Sequence, residues 1–268
     1  MRQLTVVCLL LVLCTALAAA ATEQEAATAL TQRIQRALAE RRNVCAVQEL
    51  RLTAALTVAS DKRDLDMAIA RQQLSADLAA GAASMVGADP ALQPAQLRAQ
   101  YVQAINTAMQ QFTQVVNASQ QEWSTQVNAA FQRLNQDEGA AQQTLNQALS
   151  TAQQSATTAI GGIPADVAPT IAEGMPDLTG AVQTDDVIAS AEKSIAEARA
   201  SYRQDVAKAL AEGYAELKAA VANTVPAERA DGIRAAINKL RLVCLDRYDQ
   251  YDNEVRSILR KALLAALQ

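Results

Sequence analysis

Apolar residues return every three or four positions along most of this chain, the spacing of one face of an amphipathic α-helix. The clearest run lies near the C-terminus. There Ile233, Ile237, Leu240, Cys244, Tyr248, Tyr251 and Val255 form a stripe, with Arg241, Asp246, Arg247, Asp249, Asp252 and Arg256 opposite. An earlier stripe runs through Leu30, Ile34, Ala37, Cys45, Leu52, Leu56, Ala59, Met67, Ala70, Leu74 and Leu78. It predicts one long helix from Glu23 to about Ala80, or two nearly collinear ones. Asn43 and Ser60-Asp61 are its weakest points, and Asp61, Asp64 and Asp66 suit the first turn of a second helix. The next stripe is Val102, Ile105, Met109, Phe112, Val116, Trp123, Val127, Ala130, Leu134, Ala141, Leu145 and Leu149. It predicts a helix from Ala95 to about Thr158, with Gly139 able to kink it. A third helix is expected from the cap Thr184 to Ala222, on Ile188, Ala191, Ile195, Ala198, Tyr202, Val206, Leu210, Gly213, Leu217 and Val221. The fourth carries the C-terminal stripe to Leu267.

Glycine and proline set the breaks. Gly81, Gly87, Pro90 and Pro94 crowd one interval, and Asp89-Pro90 reads as a helix start. Pro164, Pro169 and Pro176 lie between Gly161 and Gly180, and no helix passes three prolines. Asn223 to Pro226 is the last gap. The expected fold is all-α: an elongated, coiled-coil-like antiparallel bundle of about four long amphipathic helices. Its organisation is a signal peptide over 1–20, a helical hairpin over 21–160, a linker over 161–180 and a second hairpin over 181–268. The second hairpin packs on the first as one cooperative domain.

Composition supports this. Aromatics are 3% of the chain, and Ala, Leu, Gln, Glu and Arg, all strong helix formers, dominate over β-branched runs. An Ala-rich core is thin, and it buries less apolar area per residue than a Leu-rich one.

The first residues have the anatomy of a secretory signal peptide. Arg2 supplies the positive end, Leu4 to Leu17 the apolar run, and Ala18-Ala19-Ala20 the small residues for cleavage. The run is shorter than the roughly 20 residues of a spanning helix, and no later stretch is apolar enough to be a transmembrane segment. The expected location is secreted and extracellular. Loss of Arg2 moves the formal charge from −4 to −5, which disfavours nucleic acid as a partner.

Cleavage would also remove Cys8 and Cys14 and leave Cys45 and Cys244. An even pair in an oxidising compartment, each on an apolar stripe, predicts a Cys45–Cys244 disulfide and makes the first and last helices neighbours. Asn117-Ala118-Ser119 is a sequon, so Asn117 is a candidate N-glycan acceptor.

The chemistry at hand is narrow. With no histidine there is no Ser-His-Asp triad, no Cys-His pair and no imidazole metal ligand. Asp185-Asp186 and Asp246/Asp249/Asp252 have the spacing of a solvated helix start and a solvated helix face. Asp249 to Glu254 lacks the alternating ligands and central glycine of an EF-hand. Gly161-Gly162 precedes prolines rather than a phosphate-cradling helix. Arg33, Arg36, Arg41 and Arg42 form a basic patch interleaved with Glu40. Thr113, Thr125 and Thr144 are followed eleven residues on by Ser124, Gln136 and Ser155, not by the threonines of an ice-binding helix. No catalytic residue, cofactor or metal site is expected.

The sequence therefore points to a non-enzymatic secreted helical protein. It would act as a structural or protein-interaction component of an extracellular fluid or matrix, through an unknown protein partner or self-association. The alternative is a lipid surface as partner: amphipathic helices with a hinge resemble exchangeable apolipoproteins in general style and imply lipid-surface binding.

Overall fold

The computed structural model describes the backbone over residues 2–86, 94–160 and 181–266, and side chains over 25–85, 94–155 and 185–266. Among the described residues four helices pack against each other: α1 (Arg2–Val86), α2 (Pro94–Ile160), α3 (Ala181–Val221) and α4 (Pro226–Ala266). No strand occurs among the described residues. The expected all-α bundle is what forms.

Several boundaries moved. Helix α1 runs unbroken through Asn43 and Ser60-Asp61, so Asp61, Asp64 and Asp66 are not a first turn. Gly81 lies inside α1. A Cβ added there would stand 3.5 Å from the Ala104 side chain and 3.8 Å from Tyr101, ordinary contact distances, so this glycine faces α2 without needing to be glycine. Helix α2 begins at Pro94 and continues straight through Gly139, while Asp89-Pro90 lies outside the described residues. Helix α3 starts at Ala181, which puts Thr184 inside it and not at its cap. The whole proline-rich linker over 161–180 also lies outside the described residues.

The α3–α4 turn does follow the expected gap. Asn223 Oδ1 accepts a hydrogen bond from the Val225 N–H at 2.9 Å, and its amide donates to Glu228 Oε2 at 3.1 Å. The Arg229 guanidinium donates to the Asn223 carbonyl at 2.8 Å. These bonds occupy polar groups that a helix end leaves without intrahelical partners.

The packing resolves into two units, and neither is a hairpin in sequence. One comprises residues 1–49, 134–189 and 262–268; the other comprises 50–133 and 190–261. In the first, Ala27, Leu30 and Ile34 of α1 pack with Ala152 of α2, flanked by Leu38 and Leu149. Arg42 of α1 reaches Asp185 of α3 at 3.8 Å.

The second unit has a readable register. Asp66 faces Ser119 and Gly81 faces Ala104, so α1 and α2 are antiparallel. Gln72 donates to the Leu210 carbonyl at 2.9 Å and Asp61 meets Arg199, both 138 residues apart, so α1 and α3 are parallel. Asp61 meets Tyr251, and Ala76 shares a core with Ile233, Ala236, Ile237 and Leu217, which sets α4 antiparallel to α1. In this unit the first and last helices are direct neighbours, as expected. Helix α1 thus contacts three partners.

Candidate functional site

The densest polar arrangement among the described side chains surrounds Asp61. Aspartate is a poor residue for a helix interior, so tertiary partners hold it there. Val58, Ala59, Leu65 and Ile69 around it are buried, and Asp61 itself is 4% exposed. A carboxylate so placed needs both charge and hydrogen-bond partners. Arg199 supplies a two-pronged contact, Nε to Oδ2 at 2.7 Å and Nη2 to Oδ1 at 2.8 Å. Arg203, one turn on along α3, adds Nη2 to Oδ1 at 3.2 Å. Tyr251 of α4 donates its hydroxyl to Oδ2 at 3.3 Å. One carboxylate therefore ties three helices together.

An aromatic cluster adjoins it. The Tyr202 ring stacks on Tyr251 at 4.7 Å between centroids and meets Tyr248 edge-on at 6.3 Å. Such ring pairs add about 0.5–1.5 kcal/mol beyond their area burial. Lys62 sits over the Tyr248 ring at 5.8 Å and pairs with Asp66 at 2.7 Å. Arg63 lies over Trp123 of α2 at 5.2 Å. The Tyr202 hydroxyl is buried and has no hydrogen-bond partner among the described residues.

The electrostatics keep these groups in their resting forms. Burial pushes the phenols of Tyr202, Tyr248 and Tyr251 well above the usual tyrosine range, and the Asp61 charge adds to the effect on Tyr202 and Tyr251. Burial raises the Cys244 thiol to about 11. The bond to Asp61 raises Arg199, which stays charged. Both Asp61 oxygens are occupied, the phenols hold their protons and the thiol is not a thiolate. The cluster fastens helices and offers no free nucleophile or base. Among the described residues, no group of three or more His, Cys, Asp or Glu side chains is placed to hold a metal ion.

The residues singled out in the sequence are dispersed. The Cys45–Cys244 bridge is not formed: both are free thiols, Cys45 half-buried and Cys244 fully buried. Cys244 lies between Ile237 and Tyr251, so it stands level with the stretch of α1 between Ala76 and Asp61. Cys45 belongs to the other unit, that of residues 1–49, 134–189 and 262–268. A disulfide needs Cα atoms within about 7 Å. Asn117 is exposed on α2, while Ser119 of the same sequon is buried and donates to Asp66 at 3.4 Å. Asp185 and Asp186 are exposed, Asp252 pairs with Arg256 at 2.6 Å, and Asp246 accepts from Gln250 at 2.9 Å. Arg36 of the basic patch pairs with Glu40.

Sequence reasoning missed the Asp61 cluster, although a signal was there. Leu50, Ala54, Val58, Leu65 and Ile69 recur at three- and four-residue spacings with Asp61 among them, a second stripe on the same helix. No protein-family model, curated protein or solved structure matches the chain.

Proposed function

We propose that this is a secreted, non-enzymatic helical protein that works through its surface, as a structural or protein-interaction component of an extracellular fluid or matrix. The observation that carries the reading is the outer surface of α2. No charged residue occurs from Ala99 to Gln121, and Val115 is exposed within that span. An uncharged helix face puts no like charges together when protein surfaces meet. Asp61 and its partners Arg199, Arg203 and Tyr251 are meanwhile committed to holding helices together. Secretion rests on Arg2, the Leu4–Leu17 run and the alanines that follow. The exposure of Asn117 suits an N-glycan there, and glycosidase treatment of the secreted protein should raise its gel mobility. Sedimentation velocity over a range of concentrations tests the homotypic form. Concentration-dependent association is expected, and a monomer at every concentration would count against it.

A second reading, binding to a lipid surface, gains from the free thiols. Without a bridge, no covalent tie joins α1 to α4. Vesicle flotation with circular dichroism tests it, and failure to float removes it.

A further inference from the structure

This inference rests on the lipid-surface reading and gives it a place. In the unit of residues 50–133 and 190–261, α2 and α3 sit on nearly opposite sides of α1. The α2 contacts come from Arg63, Asp66 and Gly81, the α3 contacts from Asp61 and Gln72. Each residue turns a helix by about 100°. Arg71, Leu74 and Leu78 therefore fall between those two neighbours, on the side away from α4. Both registers bring Met109 of α2 and Tyr214 of α3 level with the same stretch of α1. The same turn angle puts Val102 and Arg98 of α2, and Lys218 of α3, on this side too.

The resulting face has a distinct character. Val102 is 54% exposed, Met109 46% and Tyr214 57%, while Leu74 and Leu78 beneath them are half-buried. Arg71, Arg98 and Lys218 around them are exposed. The neighbouring acids of α1 are engaged: Asp64 accepts from Arg63 and Asp77 from Gln73. An apolar face with a basic rim thus stands on a protein of net charge −4.

We propose that this face docks the closed bundle on an anionic lipid surface. Val102, Met109 and Tyr214 enter the boundary between headgroups and acyl chains, and Arg71, Arg98 and Lys218 meet the headgroups. Apolar insertion combined with attraction of basic side chains is the physics of peripheral membrane binding. The rim selects the occupant. Two copies of this face would set cation against cation, whereas an anionic lipid surface is complementary to it.

Flotation with vesicles of phosphatidylcholine and phosphatidylserine tests the proposal, with phosphatidylcholine alone for comparison. The protein should float with the mixed vesicles, float poorly with the neutral ones, and release as salt rises. Helicity should be the same with and without lipid. Arg71→Gln and Lys218→Gln should each weaken binding about fivefold. Met109→Asp and Tyr214→Asp should weaken it about tenfold or more. All four positions reach solvent, so melting curves should match the parent; if an Asp variant melts early, the two Gln variants decide. Flotation that is unchanged in every variant overturns this face while leaving a lipid reading through helix opening. No flotation at all overturns both. Loss of a concentration-dependent dimer in the same variants, without lipid binding, makes the face a contact between copies and overturns the proposal.

Discussion

At the scale of single residues, burial without a partner and burial with one have opposite consequences. Cys244 is fully enclosed and its thiol is raised to about 11, so it should resist alkylation in the native protein and react once urea unfolds it. Half-buried Cys45 should react first. Mass spectrometry after stepwise labelling reads both, and a single cross-linked species inert to reagent would contradict the free thiols. Asp61 is the other extreme, a buried charge with three partners. Replacing it with alanine leaves Arg199 and Arg203 facing a void and removes the acceptor of the Tyr251 hydroxyl. Breaking a fully buried pair costs about 3–5 kcal/mol. Both arginines reach solvent, so Asp61→Ala should cost about 2–3 kcal/mol by urea unfolding.

At the scale of helices, the sequence pattern was accurate where a helix has one buried side. All of the named α4 stripe is buried except half-buried Tyr248, and the α3 stripe is buried or half-buried throughout. Helix α1 departs from this because three neighbours surround it. Its named residues Leu52, Leu56, Met67 and Leu74 are half-buried, while Leu50, Val58, Leu65 and Ile69 on the second stripe are fully buried. Leu65→Ala should therefore cost about 2–5 kcal/mol and Leu56→Ala distinctly less, by thermal or urea melts. On α2 the pattern overstates burial: Val102 and Met109 are exposed, and the buried positions include Ala108 and Ser119. Glycines sort the same way. Nothing lies within 4 Å of a Cβ added at Gly139, so Gly139→Ala should stabilise by about 0.5–1 kcal/mol. At Gly213 the new carbon would meet buried Leu240 at 2.7 Å, and Gly213→Ala should instead destabilise by about 1–2 kcal/mol.

At the scale of the molecule, the buried acids shape the alkaline response. The phenols of Tyr202, Tyr248 and Tyr251 and the thiol of Cys244 all titrate higher when folded than when unfolded. Above the unfolded values the unfolded chain has released protons that the folded one still holds, so stability falls as pH rises. The contribution is whole below about pH 9. It is lost for Cys244 between 9.0 and about 11, and for the tyrosines from 10.0 upward. Urea midpoints measured across that range should decline steadily, and a flat profile would mean these groups are not buried as described.

Helical class, the number of long helices and the inward stripes of α3 and α4 were determined by the sequence alone. Propensity and periodicity are local properties, and a helix with one dry side writes that side directly into its spacing. The same local reading put a bridge between Cys45 and Cys244 and a helix start at Asp61. Only the tertiary structure decided otherwise. Register between helices depends on which turn of one meets which turn of another, and every turn of a regular stripe looks alike from within its own helix. A carboxylate's place inside the bundle likewise depends on Arg199, Arg203 and Tyr251, which lie more than a hundred residues away along the chain.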